Sequence, residues 1–353
     1  MPVRPLLLTG DPVLLDDLLR LAAAAGVETE VAPDAIAAGG SWVAAPLVLI
    51  GADLVRDVLR VGLPRRPGVV VVPTDLGDAQ LWQLAAAAGA ESVQPLPGAE
   101  ALLVDRLAAA ADGPARSTTV AVVGGRGGAG ASTLACALAR TARATATVML
   151  VDGDPQGGGL DLLMGAEGMS GLRWPDLAAA SGRASPDELR AALPCVDGVT
   201  LLSWHRGDPA ELPAAAMDLV LGAGRRGHDL VVVDLPRSWD AAARSAVAVA
   251  DTVLLVVPAE VRAVAAAGQV VARLVGLVAD LRVVVRGPSP ARLSDRVVAR
   301  ELGLPLAGWL APEPGLAAAQ ERGEPPGRSG RGPLVRLCTE LLAGLGDPAG
   351  RVA

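Results

Sequence analysis

The 353-residue chain is 51% hydrophobic and 20% charged, enough apolar material for two cores. Its formal net charge of −7 argues against non-specific nucleic-acid binding, which depends on neutralising phosphates. Phe and Tyr are absent, as are Lys and Asn, and only Ile36 and Ile50 represent isoleucine. That skew fits a GC-rich genome, in which an ancestral lysine drifts readily to arginine.

The first hundred residues alternate short apolar runs with helical stretches. The runs Leu6–Thr9, Pro46–Gly51 and Gly68–Val72 read as strands; Pro12–Ala25 and Asp78–Ala88 read as helices. Continuous apolar strands alternating with helices predict an α/β unit with a parallel sheet covered on both faces. The opening MPVRPLLLTGDP is broken by Asp11 and Pro12 and reads as a first strand rather than a signal peptide. The expected domains are 1–110, a linker 111–117 (ADGPARS), a second α/β domain 118–345 and a tail 346–353.

In the second domain the expected strands are Thr119–Val123, Thr147–Val151, Val199–Leu202, Leu230–Asp234, Thr252–Val257 and Arg282–Val285. The first runs into VAVVGGRGGAGASTLA, a strand, a glycine-rich turn and an Ala/Leu-rich helix. Such a turn exposes backbone N–H groups at a helix N-terminus, which suits a phosphate. Gly125 and Gly130 occupy the glycine positions of a phosphate loop and Ser132 the hydroxyl position, but Ala131 stands where a lysine is expected. Two further strands end in carboxylates: TVMLVDGDPQGGGLD supplies Asp152 and Asp154, and LVVVDLP supplies Asp234. Carboxylates at strand ends beside a phosphate loop are where a Mg²⁺-bound water would be held.

These pieces resemble the MinD/ParA family of deviant Walker A ATPases. Arg126–Ser132, Asp152–Gly157 and Asp234–Pro236 align with its three motifs, and Val256–Arg262 resembles a later strand and loop. With the domain ahead of it, the chain is similar to the CpaE/TadZ branch and its actinobacterial members; Leu202–Gly207 adds weaker support. The resemblance implies ATP and Mg²⁺ as ligands. Gly125, Arg126, Gly127, Gly128, Ala129, Gly130, Ala131, Ser132 and Thr133 would bind nucleotide. Ser132 and Asp234 would serve the metal (Asp234 through water), with Asp152 as a further candidate, and Asp154 would orient water in an active enzyme. It also implies a face-to-face homodimer, cell-division or pilus/secretion partners, and a cytoplasmic site with peripheral attachment at the inner plasma membrane or septum.

Where the family uses two lysines, Arg126 keeps the charge and Ala131 does not; Arg286-Gly287 replaces an Asn often found for the adenine. Hydrolysis is therefore expected to be weak or absent, and the function that of a spatial regulator. The rivals are an ATPase cycling between monomer and dimer, and a ParA-like DNA partition protein, against which the acidic balance argues. Residues 1–110 resemble a receiver domain whose phosphorylation set is broken, with Gly51 and Leu96 at the Asp and Lys positions. Cys136, Cys195 and Cys338 read as small buried residues, His205 and His228 as surface or loop residues, and Trp174, Trp204 and Trp239 as loop residues that pack. The leucines of Leu334–Leu345 are expected to pack on the domain rather than on a membrane.

Overall fold

A computed structural model describes residues 4–75, 80–111, 117–178, 184–206, 211–289 and 292–345. The chain divides into two compact units after Ala115. Most of the expected linker and the whole tail lie outside the described residues, as do Asp78 and Gly207.

The first unit holds five strands: β1 (Leu6–Leu8), β2 (Glu30–Ala32), β3 (Val48–Gly51), β4 (Val69–Val72) and β5 (Ser92–Val93). They form one parallel sheet in the order β2-β1-β3-β4-β5. Alternate residues of each strand feed two cores. Leu7, Leu49, Val70 and Val72 pack with Leu14, Leu18, Leu103 and Leu107 on one face; Leu6, Leu8, Val48 and Ile50 pack with Val55, Val58, Leu81 and Ala85 on the other. This is why the strands read as unbroken apolar runs. The helix Pro12–Ala24 starts where Asp11 Oδ1 accepts the amides of Val13 (2.9 Å) and Leu14 (3.4 Å), with Pro12 at its first turn.

Gly51 and Leu96, at the expected Asp and Lys positions, carry no charge, and Asp53 sits beside the end of β3. Asp53 accepts the Thr9 hydroxyl (3.0 Å) and the Gly10 amide (2.8 Å). A Cβ on Gly51 would overlap Asp53 Oδ1 and stand 2.6 Å from Thr9 Oγ1, so a larger residue at the end of β3 would require these side chains to move. Leu96 is buried in the core.

The second unit holds β6 (Thr118–Gly124), β7 (Val148–Asp152), β8 (Cys195–Val196), β9 (Val199–Leu202), β10 (Leu230–Leu235), β11 (Thr252–Pro258), β12 (Leu281–Arg286) and β13 (Leu306–Leu310). The sheet order is β13-β12-β11-β6-β10-β7-β9-β8, and only β8 and β9 pair antiparallel. β6 therefore lies between β11 and β10, with β7 next to β10. The carboxyl ends of β6, β7 and β10 bring the glycine loop, Asp152 and Asp234 to one edge, since Asp234 is in register with both Val122 and Asp152. Ligands of open α/β sheets bind at such strand ends.

The helix Pro333–Leu345 buries Leu334, Leu337, Cys338 and Leu341 in the same core as the phosphate-loop helix Ala131–Ala142. Its apolar face is thus consumed by packing, and Arg336 and Glu340 are exposed. Among the described residues no helix is long and apolar enough to cross a membrane. Two expectations need correction. Cys195 is exposed rather than buried, because it lies on the short outer strand β8. His228 is buried, its ring nitrogens 3.1 Å from Gly224 O and 3.1 Å from Thr200 Oγ1, and burial lowers its pKa.

Candidate functional site

The loop after β6 begins with the Gly125 amide donating to Val256 O of β11 (2.8 Å), and the chain then leaves the sheet. Gly128 and Gly130 adopt φ of 69° and 98°, a region that a side chain would strain. The amides of Gly127, Gly128 and Gly130 donate to no protein acceptor among the described residues. The helix Ala131–Ala142 follows at once, with no side-chain cap, so its first-turn amides also face the loop. These are the elements of an anion cradle. The Thr133 hydroxyl accepts from Gln320 Nε2 (3.1 Å), which ties the helix to the C-terminal part of the unit.

Two hollows share Ser132, Asp154 and Asp234 in their walls. One, of about 330 Å³, is lined by Gly124, Arg126–Thr133, Leu235, Arg237 and Arg286. The other, of about 640 Å³, runs past Asp152 and Gly157–Leu160 to Gln320–Gly323. The sequence-predicted site residues line these hollows, except Gly125, which is buried against β11 at the base of the loop, and Ala131 offers no charge.

The three carboxylates differ in environment. Asp234 is 3% exposed, and its Oδ1 has no hydrogen-bond partner. Burial pushes its carboxyl up to about 8; the Ser132 hydroxyl pulls it back, and Asp152 and Asp154 add to the rise. Asp152 is committed to the chain. Its Oδ2 accepts the Leu160 amide (2.9 Å) and the Ser203 hydroxyl (2.7 Å), and its Oδ1 the Asp154 amide (3.2 Å). Burial outweighs these bonds and raises it to about 6. Its role in this geometry is to hold the turn that carries Asp154. Asp154 is half-buried, faces both hollows and accepts the Gln156 amide (3.0 Å).

Ser203 was not predicted as part of this arrangement, and neither were the tryptophan contacts. Trp174 Nε1 (2.6 Å) and Trp204 Nε1 (3.2 Å) both donate to Asp152 O, with their rings 6.1 Å apart. Trp174 is fully buried at the start of the helical turn Trp174–Leu177. The indoles brace the acidic turn from behind. No signal in the sequence marked them beyond their position after the second motif.

The arginines around the loop are also arranged by tertiary structure. Arg126 Nη2 pairs with Glu260 Oε1 (2.9 Å) and its Nη1 donates to Gly127 O (2.9 Å). Arg286, at the end of β12, donates from Nη1 to Gly128 O (3.1 Å) and Ala129 O (2.9 Å). It occupies the flank of the loop, where the resemblance anticipated an adenine contact.

Comparison with known proteins agrees with this architecture. Residues 8–118 match the family model of the Rv3660c-like, CheY-like N-terminal domain. Solved structures share the fold of the second unit at low identity. The ParA family ATPase of Chlorobium tepidum is 15% identical with a TM-score of 0.58, covering 64% of this chain and 98% of that one. MinD in the MinC:MinD complex of Aquifex aeolicus is 22% identical with a TM-score of 0.55, covering 65% and 97%. The MinD protein of Pyrococcus horikoshii complexed with Mg-ADP is 17% identical with a TM-score of 0.51, covering 67% and 99%. Over nearly the whole length, Rv3660c of Mycobacterium tuberculosis is 42% identical across 324 residues, 89% of this chain and 90% of that protein. The chain therefore belongs to the Rv3660c-like family, joining a CheY-like domain to a P-loop domain of the ParA/MinD fold.

Proposed function

We propose that this protein is a MinD/CpaE-like spatial regulator that binds a nucleotide in a degenerate phosphate loop and acts through protein partners, with hydrolysis weak or absent. The observation that carries this reading is one juxtaposition. An open glycine cradle and a buried carboxylate with an unpaired oxygen face the same hollow, while position 131 supplies no cation. The free amides of Gly127, Gly128 and Gly130, with those of the first helical turn, would take the phosphates. Ser132, with Asp234 acting through water, would hold Mg²⁺, whose part is to neutralise phosphate charge. Asp154 lines the same hollow, and any residual turnover would depend on it as the residue that orients water. Losing the lysine removes an electrostatic contribution that typically costs several kcal/mol in phosphoryl transfer.

A nucleotide held without turnover is a switch or structural ligand rather than a fuel. That suits placement of a division septum or a pilus/secretion machine through nucleotide-tuned dimerisation. The solved MinD and ParA-type proteins support this reading at the level of the fold, and one of them is in complex with MinC. Gly51 and Leu96 in place of the Asp and Lys of a working receiver support a first domain that works by contact rather than by phosphorylation.

The test is calorimetric titration of the full chain with Mg-ATP and a non-hydrolysable analogue, beside Ala131→Lys, with phosphate release followed in parallel. Micromolar binding with negligible release is the expected result. Turnover abolished by Asp154→Ala would instead establish the ATPase reading. Binding seen only in Ala131→Lys would mean a protein that works through its surfaces alone.

A further inference from the structure

Three arginines surround the glycine loop, and only one is uncommitted. Arg126 is neutralised by Glu260, and Arg286 spends its Nη1 on two loop carbonyls. Arg237 has no hydrogen bond or ion pair among the described residues and is exposed. Its position follows from the sheet. β10 pairs with β6, with Leu235 opposite Val123, so the turn after β10 runs beside the glycine loop after β6. The Arg237 Nη2 lies 3.7 Å from where a Cβ on Gly127 would stand, and the side chain lines the 330 Å³ hollow.

The same hollow holds the complementary group. Asp234 Oδ1 is buried and unpartnered in the same hollow, and the two residues make no ion pair with each other. A free guanidinium and an orphaned carboxylate facing one space are jointly satisfied by a metal–polyphosphate complex: anionic oxygens for Arg237, the hydrated cation for Asp234. An anion alone would answer only the first. Guanidinium is well matched to phosphate oxygens because it presents a planar fork of donors.

We propose that Arg237 supplies to a bound nucleotide polyphosphate the positive charge that position 131 lacks. This rests on the nucleotide reading above and assigns a phosphate-binding residue within it. The charge is delivered from the turn after the strand that carries Asp234, instead of from the loop itself.

The test is calorimetric titration of the full chain with Mg-ATP in the natural protein, Arg237→Ala, Arg237→Lys, Ala131→Lys and the double variant Ala131→Lys/Arg237→Ala. Thermal unfolding without ligand checks that each variant folds. Because Arg237 is exposed and unpaired, its removal should leave the ligand-free unfolding temperature in place. Arg237→Ala is expected to weaken binding by about tenfold or more, the loss of a charge-assisted hydrogen bond. Arg237→Lys should recover part of the loss. With the lysine present at 131, removing Arg237 should cost less than about threefold, because the two cations serve the same oxygens. Unchanged affinity in Arg237→Ala, or an equal loss in both backgrounds, overturns the assignment and leaves nucleotide binding intact. No binding by the natural protein overturns the nucleotide reading and this assignment together.

Discussion

Asp234→Asn is the sharpest probe of the site because stability and ligand binding should respond in opposite directions. In the ligand-free protein the carboxyl titrates at about 8, against 3.8 for an exposed aspartate. Between those values the folded state keeps a proton that the unfolded state has lost, so stability falls as pH rises from about 4 to about 8. Four pKa units at about 1.36 kcal/mol each set a ceiling of roughly 6 kcal/mol. Local relaxation and water entry reduce such costs, and a gain of about 2 kcal/mol at pH 8 is expected when the group is replaced by the neutral isostere. For a unit of this size that is a rise of roughly 4–8 °C in the unfolding temperature. Scanning calorimetry of the full chain at pH 5 and pH 8 measures it. The gain should be large at pH 8 and shrink towards pH 5. If Asp234 serves the metal as proposed, adding Mg-ATP should stabilise the natural protein and leave Asp234→Asn little changed. A variant less stable than the natural protein at pH 8 without ligand, or a difference independent of pH, would refute the argument that burial drives the shift.

Two further substitutions test the supports of the site. Ser203→Ala removes the hydroxyl that donates to Asp152 Oδ2 at 2.7 Å; it should cost about 1.5–3 kcal/mol in urea unfolding and loosen the turn bearing Asp154. Leu337→Ala truncates a side chain 2% exposed between the C-terminal helix and the core; a loss of about 2–5 kcal/mol is expected, whereas a helix that served only to touch membrane would leave unfolding unchanged.

Local patterns made much of the fold legible. The buried strands announced themselves as Val- and Leu-rich runs because both faces of each sheet are covered, and their starts and ends fell within a residue or two of the structure. The strands that escaped are edge strands. β2 carries Glu30 and only one buried residue, and β13 is interrupted by Gly308 and half-exposed. An edge strand needs one covered flank, so it has no continuous apolar run to display. Sheet order was also invisible to spacing: β6 enters between β10 and β11, strands more than a hundred residues later in the chain. The glycine loop and its three acidic residues were legible because each sits at the end of a strand that spacing alone could locate.

What the sequence could not display is how charge is distributed around that loop. The Ala131 gap is visible in one line of sequence, but its consequence depends on Arg237 and Arg286, and Arg286 donates to a carbonyl 158 residues away. Nothing in the local sequence separates Arg286, bound to loop carbonyls, from Arg237, which has no partner among the described residues. The same holds for the acids: Asp152 and Asp234 both end apolar strands, yet one is saturated by Ser203 and Leu160 while the other keeps an oxygen free. Motif position assigns each residue a place at the site. Only the packing of the neighbouring strands decides which of them has bonding capacity left for a ligand, and in this chain that capacity remains with Asp234, Arg237 and the loop amides.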